Sequence, residues 1–165
     1  MSRDSPPIHP IDAPENAEEI APSIAFWCGL TVPKHSSTSE DIPHVNNTEY
    51  VRWIDRTAEL ATDAVGLTRQ MLIEAKRMWF VARHEIDYRA ESFEGDKLVI
   101  ATWISDYSRI RATRRTLIHR PTDGKTILDA STSWAYVNLE TRKLARMEQD
   151  VMDRFPVAAP EDAWR

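Results

Sequence analysis

The sequence predicts an α+β domain in which one long helix is wrapped by a curved antiparallel sheet of five or six strands. Three observations predict it. An amphipathic run extends from Thr48 to Val65, the hydrophobic period changes to two after Met78, and four β-rich segments then follow with only short turns between them. At 165 residues and 42% hydrophobic content, the chain fits one domain with a real core and leaves too little for a second.

Residues 1–22 hold half of the ten prolines with several acids and few large apolar side chains, so a flexible arm is expected there. Ser23 to Thr31 is aromatic and apolar enough for a first strand, and Pro33 to Ser39 reads as a loop of turn-forming residues. In the helical run, Tyr50, Trp53, Ile54, Ala58, Ala61 and Val65 form one stripe, while Glu49, Arg52, Arg56, Glu59 and Asp63 fall on the other side. Gly66 ends it in the manner of a C-terminal glycine, and Arg69 to Lys76 fits a short second helix.

The β-rich segments are Trp79 to Ala90, Lys97 to Asp106, Arg109 to Arg120 and Thr126 to Leu139, and the short turns between them predict antiparallel neighbours. In the second, Leu98, Ile100, Thr102 and Ile104 share one face and Val99, Ala101 and Trp103 the other, as in a central strand. The third is basic: Arg111 and Arg115 face one way with Thr113, and Arg114 faces the other with Ile110 and Ala112. Arg142 to Phe155 has room for a short final strand and a turn of helix. The expected organisation is therefore an arm over 1–22, one domain over 23–157 and a tail over 158–165. A helix clasped by a single sheet leaves that sheet's far face or edge to a partner chain, so a homodimer or homotetramer is expected.

A net charge of −5 and a pI near 5.5 argue against a general nucleic-acid binder, which needs a basic face over many phosphates. Cys28 is the sole cysteine, so no internal disulfide forms, and no apolar run is long enough to span a bilayer. A cytoplasmic location without membrane association is the expectation. No Cys and His cluster has zinc spacing, no Gly-rich phosphate loop occurs and no Gly-x-Ser-x-Gly elbow is found, so neither a metal nor a cofactor is called for.

The chemistry concentrates in Glu40-Asp41-Ile42-Pro43-His44-Val45-Asn46-Asn47, which sets acids, a histidine and two amides at the start of the long helix. A helix N-terminus presents unsatisfied N–H groups and partial positive charge, a suitable place for a reacting carbonyl. Either Asn46 or Asn47 is suited to cap the helix. Taken alone, an acid before a helix is more often a dipole-stabilising carboxylate, Tyr50 a core residue, Cys28 a packed small hydrophobe and His84 a plain strand residue.

Thr38-Ser39-Glu40-Asp41-Ile42-Pro43-His44-Val45-Asn46-Asn47-Thr48-Glu49-Tyr50 resembles the D-x-D-x-x-G-H-V-N-N-x-x-Y signature of the hotdog-fold thioesterases. These include bacterial acyl-CoA thioester hydrolases, hydroxybenzoyl-CoA thioesterase and plant-type acyl-ACP thioesterases. The resemblance continues through Tyr50-Val51-Arg52-Trp53-Ile54-Asp55, His84-Glu85-Ile86-Asp87-Tyr88-Arg89, Gly95-Asp96, Thr102-Trp103 and Trp134-Ala135-Tyr136-Val137, covering about Ile24 to Phe155.

It implies a hotdog fold and an acyl-CoA or acyl-ACP thioester as substrate, hydrolysed at a site on a subunit interface. Glu40 stands where the family has its acidic nucleophile or base, with Asp41 in reserve. His44 matches the family histidine, and the Asn47 N–H would polarise the carbonyl. Asp41, Asn46 and Tyr50 are expected to contact substrate, and Arg109, Arg111, Arg114 and Arg115 to offer cations for the phosphates of CoA. The chain departs from the signature in having Glu40 for Asp, Pro43 for Gly and Thr38 for the first Asp, and Ile42 where the plant-type enzymes have Asn. Two rival functions follow: a hotdog protein that binds an acyl thioester without turnover, and, less favoured, a hydratase or dehydratase on the same fold.

Overall fold

The computed structural model describes residues 7–158. Its strands are β1 (His9–Pro10), β2 (Phe26–Thr31), β3 (Arg77–Tyr88), β4 (Lys97–Tyr107), β5 (Arg111–Arg120) and β6 (Lys125–Asn138). Its helices are α1 (Ala17–Ile20), α2 (Asn47–Ala64), α3 (Arg69–Glu74) and α4 (Gln149–Asp153). The strands form one antiparallel sheet in the order β1-β2-β4-β5-β6-β3, wrapped around α2 in a hotdog-like α+β arrangement.

Helix α2 begins where its sequence supplies a cap: the Asn46 Oδ1 accepts from the Thr48 N–H at 3.0 Å. It ends at Gly66, whose φ of +81° is a left-handed conformation that side chains disfavour. The Arg154 guanidinium then donates to the Val65 and Gly66 carbonyls, filling acceptors the helix leaves open. Between these ends Tyr50, Trp53 and Ile54 pack on Leu98, Ile100, Ile118, Leu128 and Ala130 of the sheet's inner face.

The outer face over β2 and β4 is covered by the chain itself. Ile20 and Ala21 are buried with Trp27, Ala101 and Trp103, and Ile11, Ala17, Ile24 and Ala25 pack around them. β1 pairs with β2, and Ile8 joins the inner core. The expected flexible arm over 1–22 is thus corrected over its described part: a few well-placed apolar residues dock a polar, proline-rich segment. Gly29 assists, because a Cβ there would meet Ile11 Cγ2 at 3.1 Å and crowd the docked strand. Residues 1–6 lie outside the described residues, as does the expected tail apart from Ala158, whose N–H donates to the Ile104 carbonyl.

A second correction concerns strand order. The short connection after β3 predicts that β3 and β4 are neighbours, yet β3 pairs with β6 at the sheet edge. Residues 89–96 instead cross the end of the domain, with Arg89 and Ala90 donating to the Ile127 carbonyl and Gly95 to the Val32 carbonyl. This crossing positions the site. Among the described residues it also leaves one side of the 12-residue β3 unpaired.

Candidate active site

Residues 37–45 fold back on themselves as a small hairpin. Ser37 bridges Val45, the Thr38 N–H donates to the His44 carbonyl, and Ser39 and Ile42 close the tip through both a backbone bond and the Ser39 hydroxyl. Glu40 and Asp41 are the two tip residues, and both are exposed. Pro43 suits this position, since it has no N–H to satisfy and its carbonyl accepts from the Ser37 hydroxyl at 3.0 Å.

The crossing segment locks this hairpin to the helix. The Val45 N–H donates to the Ser92 carbonyl at 2.9 Å, His44 bridges Phe93, and the Ser92 hydroxyl lies 2.7 Å from the Tyr50 hydroxyl. Arg120 anchors the crossing, donating to the Glu91 carbonyl and to both Asp96 and Asp123. Its hydrogen bonds help hold the Asp123 carboxyl below the usual range. Glu91 is an additional exposed acid in this segment. No sequence motif marks it, and only the sheet order reveals its place beside the hairpin.

Each motif residue then has a definite position. The half-buried His44 has Nδ1 3.0 Å from the Val45 carbonyl; a carbonyl only accepts, so Nδ1 carries the proton and Nε2 of the neutral ring keeps its lone pair. Asn46 is the helix cap, while Asn47 is exposed in the first helical position. Tyr50 is buried against Trp53 and Tyr88, and burial raises its phenol above the ordinary range. Ser36, which accepts from the Asn46 N–H through its carbonyl, has a buried hydroxyl without a partner among the described residues.

A cleft of about 560 Å³ runs along α2 between Arg52 and Asp63, walled opposite by Trp79, Phe80 and Val81 of β3, by Arg114 of β5 and by Trp134 of β6. Several residues on the helix side that the sequence marks as polar also line this cleft, among them the half-buried Arg56 and the exposed Glu59. Asp55 also lines it; partial burial raises its carboxyl, opposed by His84, whose Nε2 is 3.9 Å away. The His84 Nδ1 is 2.9 Å from the Thr132 hydroxyl. Among the described residues no group of three or more His, Cys, Asp or Glu is placed to hold a metal ion.

The expected phosphate-binding arginines scatter. Arg109 and Arg111 lie at the start of β5, whereas the hairpin and crossing segment lie by Arg120 at its other end, about 30 Å away for a strand of that length. Within one protomer they do not meet the motif. Arg115 is paired with Asp129 and lies over Trp103 on the outer face, and Arg114 is buried inside.

Comparison with known proteins agrees with this architecture. The model of the thioesterase-like superfamily matches residues 39–155, from the hairpin to the last helix. The oleoyl-acyl carrier protein thioesterase 1 of Arabidopsis thaliana chloroplasts is 28% identical over 102 residues, which is 62% of this chain and 28% of that one. The chain thus spans little more than a quarter of that relative's length. A Staphylococcus aureus protein solved in complex with CoA superposes with a TM-score of 0.74 at 16% identity, covering 84% of this chain and 90% of the other. An acyl-ACP thioesterase from Bacteroides thetaiotaomicron gives 0.73 at 20% identity, over 87% of this chain and 56% of that one. At these identities the two structures establish a common fold. Because the family model covers well over half of the chain, including the hairpin, helix and sheet just described, this protein belongs to the thioesterase-like superfamily.

Proposed function

We propose that this protein hydrolyses an acyl thioester to the free acid and a thiol, with CoA as the carrier, where the hairpin meets the start of α2. The observation that carries this reading is the course of the cleft. Its first lining residue on α2, Arg52, is five residues and about 8 Å beyond Asn47, and the cleft continues for roughly 16 Å to Asp63. An acyl chain lying there would bring its carbonyl towards the Asn47 N–H at the opening of the helix, the next two N–H groups, of Thr48 and Glu49, being taken by Asn46.

In the proposed reaction Glu40 either attacks the carbonyl carbon, giving a mixed anhydride that water then hydrolyses, or removes a proton from the attacking water. A C–O bond forms and the C–S bond breaks. The proton passes to the departing thiolate, with His44 Nε2 free to accept and return it because Nδ1 is held by the Val45 carbonyl. The Asn47 N–H supports the oxyanion, a donor of a kind typically worth about 3 kcal/mol. Asp41, Asn46 and Tyr50 act by shaping the hairpin tip and the helix entry.

The unpaired side of β3 and its exposed Phe80, Val81 and Tyr88 support a homodimer made by antiparallel pairing of two such edges. Because Phe80 and Val81 also line the cleft, that pairing would enclose the substrate and bring Arg109 or Arg111 within reach of a bound carrier. A CoA-dependent hydrolase with a reduced Cys28 fits a cytoplasmic location. The second reading, binding without turnover, is favoured only by the exposure of Glu40. A thiol-release assay over short, long and aromatic acyl-CoAs and acyl-ACP separates the two: turnover on one class is expected, and binding with no release on any substrate would overturn the proposal.

A further inference from the structure

A buried arginine without a carboxylate partner and two buried N–H groups without acceptors, counted among the described residues, belong to side chains that line the cleft. Arg114 is 5% exposed, and its one hydrogen bond among the described residues is to the Thr102 hydroxyl at 3.3 Å, whose own proton goes to the Arg115 carbonyl. No carboxylate among the described residues pairs with it; burial alone lowers its pKa to about 10, so the guanidinium remains charged. Trp134 Nε1 and Arg56 Nε are buried without partners among the described residues.

All three residues line the same cleft. Of the three acids that line it, Glu59 is 2.7 Å from Arg56 Nη1, Asp55 faces His84, and Asp63 lies in the last turn of α2; none forms an ion pair with Arg114 among the described residues. A buried cation and two buried N–H groups left unsatisfied are costly in a fold unless something supplies oxygen acceptors.

We infer that the cleft binds an acyl group whose far end carries a carboxylate, a carboxyacyl thioester, with that carboxylate on Arg114 and the Trp134 N–H. This rests on the thioesterase reading and names its substrate class. The apolar walls from Trp79, Phe80, Leu72 and Met152 take the methylene chain, and the guanidinium, with four N–H groups beyond the one on Thr102, takes the two oxygens.

The test uses dodecanedioyl-CoA against dodecanoyl-CoA in thiol release, and dodecanedioate against dodecanoate in thermal-shift binding. Six strand residues separate Arg114 from Arg120 beside the hairpin, and a chain of this length spans that gap. The wild type is expected to favour dodecanedioyl-CoA in kcat/KM, and dodecanedioate to raise Tm more than dodecanoate. Arg114→Met should lower the dodecanedioyl-to-dodecanoyl ratio by about tenfold to a hundredfold, the usual worth of a hydrogen-bonded charge, and remove the dodecanedioate shift. Trp134→Phe, which keeps the ring area and loses the N–H, should lower the same ratio by about threefold to tenfold and serves if Arg114→Met does not fold.

A ratio unchanged by both variants, with dodecanedioate and dodecanoate binding alike, would overturn the inference while leaving hydrolysis of dodecanoyl-CoA intact. Arg114-dependent dodecanedioate binding without hydrolysis of any thioester would instead refute the thioesterase reading and leave the pocket standing. Should Arg114→Met alter the oligomeric state while dodecanedioate has no effect, the cation serves a contact between copies and the inference fails.

Discussion

Removing the Tyr50 hydroxyl tests how the site is held together. Tyr50 is 3% exposed and Ser92 is fully buried, with 2.7 Å between their hydroxyls. Tyr50→Phe keeps the ring packing on Trp53 but leaves the Ser92 hydroxyl without its partner, at a cost of about 1–3 kcal/mol. For a domain of this size that is a fall in Tm of roughly 4–8 °C at the middle of the range. Urea unfolding of Tyr50→Phe, Ser92→Ala and the double variant should give a coupling of about 1 kcal/mol, because once one hydroxyl is gone the second loses less.

Since the Ser92 carbonyl also holds the Val45 N–H, amide exchange at Val45 should quicken in Tyr50→Phe. The reasoning is refuted if Tyr50→Phe unfolds within about 0.3 kcal/mol of wild type and shows no coupling. A raised KM at unchanged stability would return Tyr50 to the role of a substrate contact.

Three more outcomes follow from particular groups. Burial lowers the pKa of His119 below 6.5, against a smaller opposing pull from Asp123; the unfolded chain therefore protonates first, and stability present above that pH is lost as pH falls below it. Urea midpoints measured from about pH 7 to 5 should decline more in wild type than in His119→Gln; equal slopes contradict this. Burial pushes the Cys28 thiol up to about 12, so native protein should resist iodoacetamide and react only when unfolded. Val81→Lys on the open edge should weaken self-association at least about tenfold in sedimentation, and an unchanged oligomer would remove the β3 pairing.

What the sequence disclosed was local. The spacing of Tyr50, Trp53 and Ile54 and the glycine at 66 located α2 to within about a residue, and alternation located each long strand within a few. Contacts set far along the chain were hidden. Turn length before Lys97 gave no sign that residues 89–96 cross the domain, so the Ser92 clamp had no signature.

Composition likewise misread residues 7–22, because docking depends on where Ile8, Ile20 and Ala21 fall rather than on the average polarity. Alternation did separate Arg114 from Arg111 and Arg115. It did not say which face was inside, and that face decides whether an arginine is solvated or buried in a cleft.

The assignment of the acid is tested most directly by single-turnover thiol release with Glu40→Gln beside Asp41→Asn, each nearly the size of the residue it replaces. If the carboxylate at position 40 does the chemistry, Glu40→Gln slows turnover at least about a hundredfold with substrate affinity little changed, and Asp41→Asn stays within a few-fold of wild type. Full turnover by Glu40→Gln, or its loss in Asp41→Asn alone, contradicts the account.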